Sequence, residues 1–148
     1  MRVKRGWTKM KKTQRALALL MMVCLLVSLF AAMPATAASG YKNVYGKTLA
    51  QVRVRANASL SAEIEDNIVR SACVYVLETD YLYSGETFVR VKYRDLNGDV
   101  ATGWVCQHDG KTEYIRILST EDAKDDFKVS GGNLPSTRVG TKDRSKTT

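Results

Sequence analysis

The chain has one histidine, His108, and three cysteines among 148 residues. A nucleophilic thiol needs a base within hydrogen-bond reach. One histidine leaves one place on the chain for an imidazole to play that part. The sequence sets it two residues after a cysteine, in TGWVCQHDG, Thr102 to Gly110. On a strand, residues i and i+2 share a face but stand roughly 7 Å apart, too far for proton transfer without a bend. No second histidine can substitute, and no cationic neighbours that would lower a thiol pKa are evident. Catalysis is not expected: Cys106 reads as the end of a strand and His108 as part of a solvated turn. A zinc site needs three or four ligands. Cys73, Cys106, His108 and Asp109 would be the set, but their spacing matches no zinc signature, so neither metal nor cofactor is expected.

Acids are missing from the first 38 residues, which hold seven of the 23 basic residues and none of the 15 acidic ones. MRVKRGWTKMKKTQR is followed by an apolar run, Ala16 to Met33, and then by PATAAS with small residues at Ala35 and Ala37. A charged start, an apolar middle and an A-x-A end predict a secretory signal peptide over 1–38, cleaved after Ala37 or Ala38. The competing reading is a retained membrane anchor, since this 18-residue stretch, with Ser28 its one polar residue, is close to the length of a span. Met21-Met22-Val23 before Cys24 is not a lipoprotein cleavage box. Without this segment the net charge falls from +8 to +1. The basic balance therefore reports export, and nucleic acid is not an expected partner. Contact with a membrane is expected only in transit.

About 110 residues remain, enough for one domain. They contain Cys73 and Cys106. In an exported chain an even pair can form a disulfide, contributing roughly 3–4 kcal/mol on the chain-entropy model. The alternative is two separate buried thiols.

Residues 119–148 hold only one aromatic, Phe127, and are rich in Ser, Thr, Gly, Lys and Asp. So little apolar surface does not offset the entropy of ordering, and a disordered polar tail is predicted. Residues 41–118 differ: all seven tyrosines lie there, with Trp104, and ten basic residues balance ten acidic ones. The dominant period is two. Val52 and Val54 alternate with Arg53 and Arg55. Val74 and Val76 share a face. Val89, Val91 and Tyr93 oppose Phe88, Arg90 and Lys92. Ile115 and Ile117 are out of phase with Tyr114 and Arg116. Such alternation signals half-buried strands. Asn97-Gly98 is a hairpin signal, and His108-Asp109-Gly110-Lys111 reads as a turn. There is no convincing helix and no repeat. The expectation is an all-β fold, a small closed barrel of about five to seven short strands.

VRVRANASLSAEI followed by IVRSACVYVL, with FVRVKY and Gly103-Trp104-Val105 further on, resembles the bacterial SH3 domain. Val52, Val54, Arg55, Ser59, Ser61, Ile64, Ile68, Val74, Val76 and Leu77 fall on matching positions. Asn57 and Ala58 stand where that family often has Gly-Pro, and Phe88 replaces its usual tryptophan. The resemblance implies an SH3-like barrel over 41–118 that binds peptides or glycopeptides. In exported bacterial proteins such modules attach to peptidoglycan. The expected function is thus a secreted, non-catalytic module for cell-wall peptide or glycopeptide, with an envelope protein as the alternative partner. Tyr81 and Tyr83, in a loop between strands, are the first candidates for contact, because a tyrosine ring offers area at low entropic cost. Tyr45, Phe88 and Trp104 extend the candidate surface, although rings of this kind also cap small cores. Arg53, Arg55, Arg90 and Lys92 form a basic stripe if their strands are neighbours.

Overall fold

A computed structural model describes residues 39–146. The proposed signal segment lies outside these residues, and no helix among them is long and apolar enough to cross a membrane. Residues Ser39–Thr148 form one compact unit. Seven strands make it up: β1 Val44–Thr48, β2 Val52–Arg55, β3 Ile64–Ile68, β4 Cys73–Tyr81, β5 Thr87–Arg94, β6 Val100–His108 and β7 Ile115–Leu118. A helix, α1, follows at Thr120–Phe127, and a short 3-10 turn closes the described chain at Arg144–Lys146. The strands form one sheet in the order β3-β2-β6-β5-β4-β1-β7, and every pairing is antiparallel.

Alternation produces the core. Val52 and Val54, Val74 and Val76, and Val89, Val91 and Tyr93 all point inward, joined by Val105, Ile68 and Ile115. Each of these branched side chains contributes about 1.5–3 kcal/mol when fully buried. The Asn97-Gly98 hairpin forms as expected. Gly98 takes a left-handed φ of 91°, and Asp95 accepts from the N–H groups of Asn97 (2.9 Å) and Asp99 (3.0 Å). Register shifts in β4 near Leu77 and in β6 at Gln107, opposite Thr87 and Phe88, bend the longer strands. The sheet curls until β7 returns to the end of β6. There His108 bridges Glu113, and the Tyr114 N–H donates to the Gln107 carbonyl at 2.7 Å.

The tail departs from expectation. Residues 119–146 are ordered on the sheet rather than disordered. Ser119 caps α1 by accepting from the Asp122 N–H at 3.0 Å, and Glu121 and Asp122 place negative charge at the helix N-terminus. Lys128 ends the helix in the left-handed region. Ala123 and Val129 pack with Tyr45 and Cys73, flanked by Tyr75, Leu118 and Phe127, in a second cluster apart from the main core. The chain then crosses β5, where Lys92 donates to the Gly132 carbonyl (2.8 Å) and Arg94 to that of Pro135 (2.7 Å).

Its final stretch closes the gap between β3 and β5. The N–H groups of Val139 and Gly140 both donate to the Arg94 carbonyl, at 3.0 and 2.9 Å, and the Val69 N–H donates to the Val139 carbonyl at 3.0 Å. Asp66, fully buried on β3, accepts from the N–H groups of Asn67 (2.7 Å), Thr141 (2.9 Å) and Lys142 (2.8 Å) and from the Tyr93 hydroxyl (3.0 Å). A side chain at Gly140 would place its Cβ 2.5 Å from the Asp66 carboxylate and 2.7 Å from the Asp95 Cα, so only glycine fits there. The tail has too little apolar surface to order alone, but these fixed polar partners and a preformed sheet order it.

Removing the Asp66 carboxylate leaves the Asn67 and Lys142 N–H groups and the Tyr93 hydroxyl to find other partners, while the Thr141 N–H keeps the Asn67 carbonyl at 3.0 Å. Asp66→Ala should cost about 3 kcal/mol or more, and Tyr93→Phe about 1 kcal/mol. Urea unfolding of residues 39–148 measures both. A cost below about 1 kcal/mol for Asp66→Ala would show that the carboxylate does not hold the tail.

Candidate functional site

One open cleft of about 350 Å³ lies between β2, β6 and the segments that leave them. That is at the lower end of the range for small-ligand sites. Val52 and Arg53 from β2, Val105 and Cys106 from β6, and Leu60, Asp109 and Tyr114 from the segments beyond these strands line it. Arg55 also lines it. The loop carrying Leu60 is held by the Ala56 N–H on the Glu63 carbonyl (3.1 Å) and by Arg55 Nη1 on the Ala62 carbonyl (2.8 Å).

The turn after β6 is built around Asp109. Its carboxylate accepts from the N–H groups of Lys111 (2.9 Å) and Thr112 (2.8 Å) and from the Tyr114 hydroxyl (2.7 Å). The Tyr114 hydroxyl, then the N–H of Thr112 and of Lys111, hold the Asp109 carboxyl down to about 2, and the same hydroxyl bond raises the Tyr114 phenol. The cleft lining therefore holds one fixed negative charge together with two arginines.

Cys106 and His108 do not form a reactive pair. The Cys106 thiol donates to the His108 carbonyl at 3.5 Å, not to the imidazole. His108 Nδ1 accepts from the Gly110 N–H at 3.0 Å and so serves its own turn. Burial, then the Asp109 charge, pushes the Cys106 thiol up, the reverse of an activated nucleophile. Among the described residues no three His, Cys, Asp or Glu side chains gather as metal ligands.

The disulfide between Cys73 and Cys106 is corrected. Both are free thiols. They stand on β4 and β6 with β5 between them, and Cys73 points into the cluster under α1. Burial pushes the Cys73 thiol up to about 12.

The five aromatic candidates do not share one surface. Tyr81 and Tyr83 are exposed, Tyr83 fully at 112%. Phe88 and Tyr45 are buried and drop out of any ligand surface. Phe88 sits opposite Cys106 on one side and Asp80 on the other. Tyr45 packs edge-on against Tyr75 at 5.0 Å and donates to the Asn133 carbonyl at 3.0 Å. Tail residues absent from the strand pattern thus claim Tyr45. Trp104 is half-buried in a cross-strand row with Arg55 and Arg90. Since β6 separates β2 from β5, the four basic residues form no continuous stripe. Arg90 pairs with Glu78 at 3.2 Å, and Lys92 lies over the Tyr75 ring. Sequence reading missed the cleft itself, because Leu60, Asp109 and Tyr114 come from three separate segments.

No family model, no curated protein and no solved structure matches the chain.

Two expectations follow. In the native protein a thiol reagent at neutral pH should leave Cys73 unmodified and reach Cys106 slowly, and denaturation without reductant should release both thiols at once. Finding no free thiol after denaturation would restore the disulfide. Separately, Asp109 is depressed from 3.8 to about 2. Its stabilising share is complete above its ordinary value and is lost as pH falls from there through about 2. Asp109→Asn should flatten the acid limb of a stability-against-pH curve over that window, and an unchanged limb would sink the assignment.

Proposed function

We propose that the chain is an exported, non-catalytic binding module that holds cell-wall peptide or glycopeptide in the cleft between β2 and β6. One observation carries this reading: the cleft is open, mixes apolar and polar lining in similar measure, and holds fixed charges of both signs. A ligand with a peptide backbone, small side chains and charged ends suits such a site. The resemblance of residues 41–118 to the bacterial SH3 domain supports it, as does the leader-like pattern of 1–38. The raised Cys106 thiol and the engaged His108 ring support a role without chemistry. No cofactor enters the reading.

A second reading, an envelope protein as partner, is favoured by the exposed Tyr81 at the end of β4 and Tyr83 on the turn that follows it. Rigid aromatic side chains on a turn suit protein contact.

Incubating residues 39–148 with purified peptidoglycan at low and moderate salt separates these readings. Wall recognition predicts retention at both salts, and a loss of about fivefold on Leu60→Ala, the size of one partly buried aliphatic contact. Retention only at low salt would reduce the contact to loose charge attraction. No retention, with a stoichiometric protein co-purifying through Tyr81 and Tyr83, would favour the second reading.

A further inference from the structure

Arg55 is buried to 8% exposure, and no carboxylate meets it. The four ion pairs among the described residues involve Lys47, Arg90, Arg144 and Lys146. The guanidinium carries five N–H donors in a planar fork. One nitrogen, Nη1, donates to the Ala62 carbonyl at 2.8 Å. No fully buried side-chain nitrogen among the described residues lacks a partner, so the remaining donors of Arg55, a residue that lines the cleft, keep some accessible surface. Arg53 lies on the same wall, exposed and without a side-chain hydrogen bond among the described residues. Asp109 shares the cleft but forms no ion pair with either arginine, since Tyr114, Lys111 and Thr112 occupy its oxygens.

A cation taken out of water without a counter-ion is costly to the fold. A planar fork of free donors at a cleft matches one ligand group above others, a carboxylate held by two parallel bonds. We infer that the cleft is a carboxylate site in which Arg55, helped by Arg53 at its mouth, holds the C-terminal carboxylate of a short peptide with small apolar side chains. Leu60, half exposed, supplies the apolar surface beside the arginines, and the buried Val52 and Val105 lie beneath the cleft floor. Asp109 in the same lining disfavours a doubly charged phosphate and suits an amide N–H of the peptide. The inference rests on the reading of this cleft as the ligand site, and it names the group that is recognised.

The test uses the full chain, isotope-labelled and kept in neutral detergent, with N-acetyl-alanyl-alanine and its C-terminal amide as probes. The free acid should shift the Arg55 side-chain N–H resonance saturably within about 10 mM, a weak single-contact affinity. The amide should not. Arg55→Gln should weaken binding of the acid about tenfold, the size of one charge-assisted hydrogen bond, and Arg53→Gln about threefold, as for an exposed charge. If Arg55→Gln fails to fold, Arg53→Gln and the comparison of acid with amide decide.

Equal binding of acid and amide, no shift at about 10 mM, or the same shift from inorganic phosphate would each overturn the inference. The peptidoglycan experiment reports separately. Acid-specific binding without retention on the wall keeps the carboxylate site and removes the wall as its source. Retention on the wall with acid and amide indistinguishable keeps the wall reading and removes the carboxylate site.

Discussion

The Asp66 carboxylate is where distant parts of this chain meet. It sits on β3, accepts the Tyr93 hydroxyl of β5, and takes the backbone N–H groups of Thr141 and Lys142 from the far end of the sequence. A buried carboxylate is tolerated only when its oxygens are satisfied, and here two of the four close donors arrive from a segment 75 residues away. The dependence runs both ways. The tail carries too little apolar surface to order by itself, and the carboxylate would be left short of donors without the tail. Burial, then the Asp66 charge, drives the Tyr93 phenol upward and keeps it a donor. Glycine at 140 is a consequence, since the backbone must pass against both Asp66 and Asp95.

What the tail covers determines what is left open. Helix α1 lies over the outer side of β1 and β7, and the segment after it crosses Tyr75 on β4 and Lys92 and Arg94 on β5. The basic side chains there are spent on tail carbonyls and aromatic faces. On the β2 and β6 side, Arg53 and Arg55 keep donors that no tail carbonyl takes. The same residue type therefore does two jobs. Where the tail passes, it clamps a backbone. Where the tail does not reach, it lines a cleft.

Much of this was legible in the sequence, and the failures are specific. Period-two runs of valine located the buried faces of β2, β4 and β5, and Asn97-Gly98 located the hairpin from β5 to β6, because both signals are local. Phe88 failed because alternation assigns a face but not what covers it. Arg55 failed for a related reason: its register shifts after Val54, and the following loop folds back to cap it through the Ala62 carbonyl. The tail failed because composition measures the core a segment can make alone. Ser119-x-x-Asp122 was a capping signature, and Gly131-Gly132 marked a stretch free to take left-handed turns. Those were local signals of order, outweighed by a global count of apolar residues.

Arg55 and Asp66 are opposite solutions to one problem. Each is a charged residue type placed out of water on neighbouring strands. Asp66 is filled with donors from its own chain and so gives rigidity. Arg55 is given one carbonyl and an opening, so its remaining donors are available to something else. A fold that holds a guanidinium this way gives up stability at that position, and it can do so only because stability is gained elsewhere. The tail latch on Asp66 is the clearest such gain in the molecule. The interaction that orders the far end of the chain thus also permits the unfilled cation at the cleft, and the two sites belong to one thermodynamic balance although their side chains never touch.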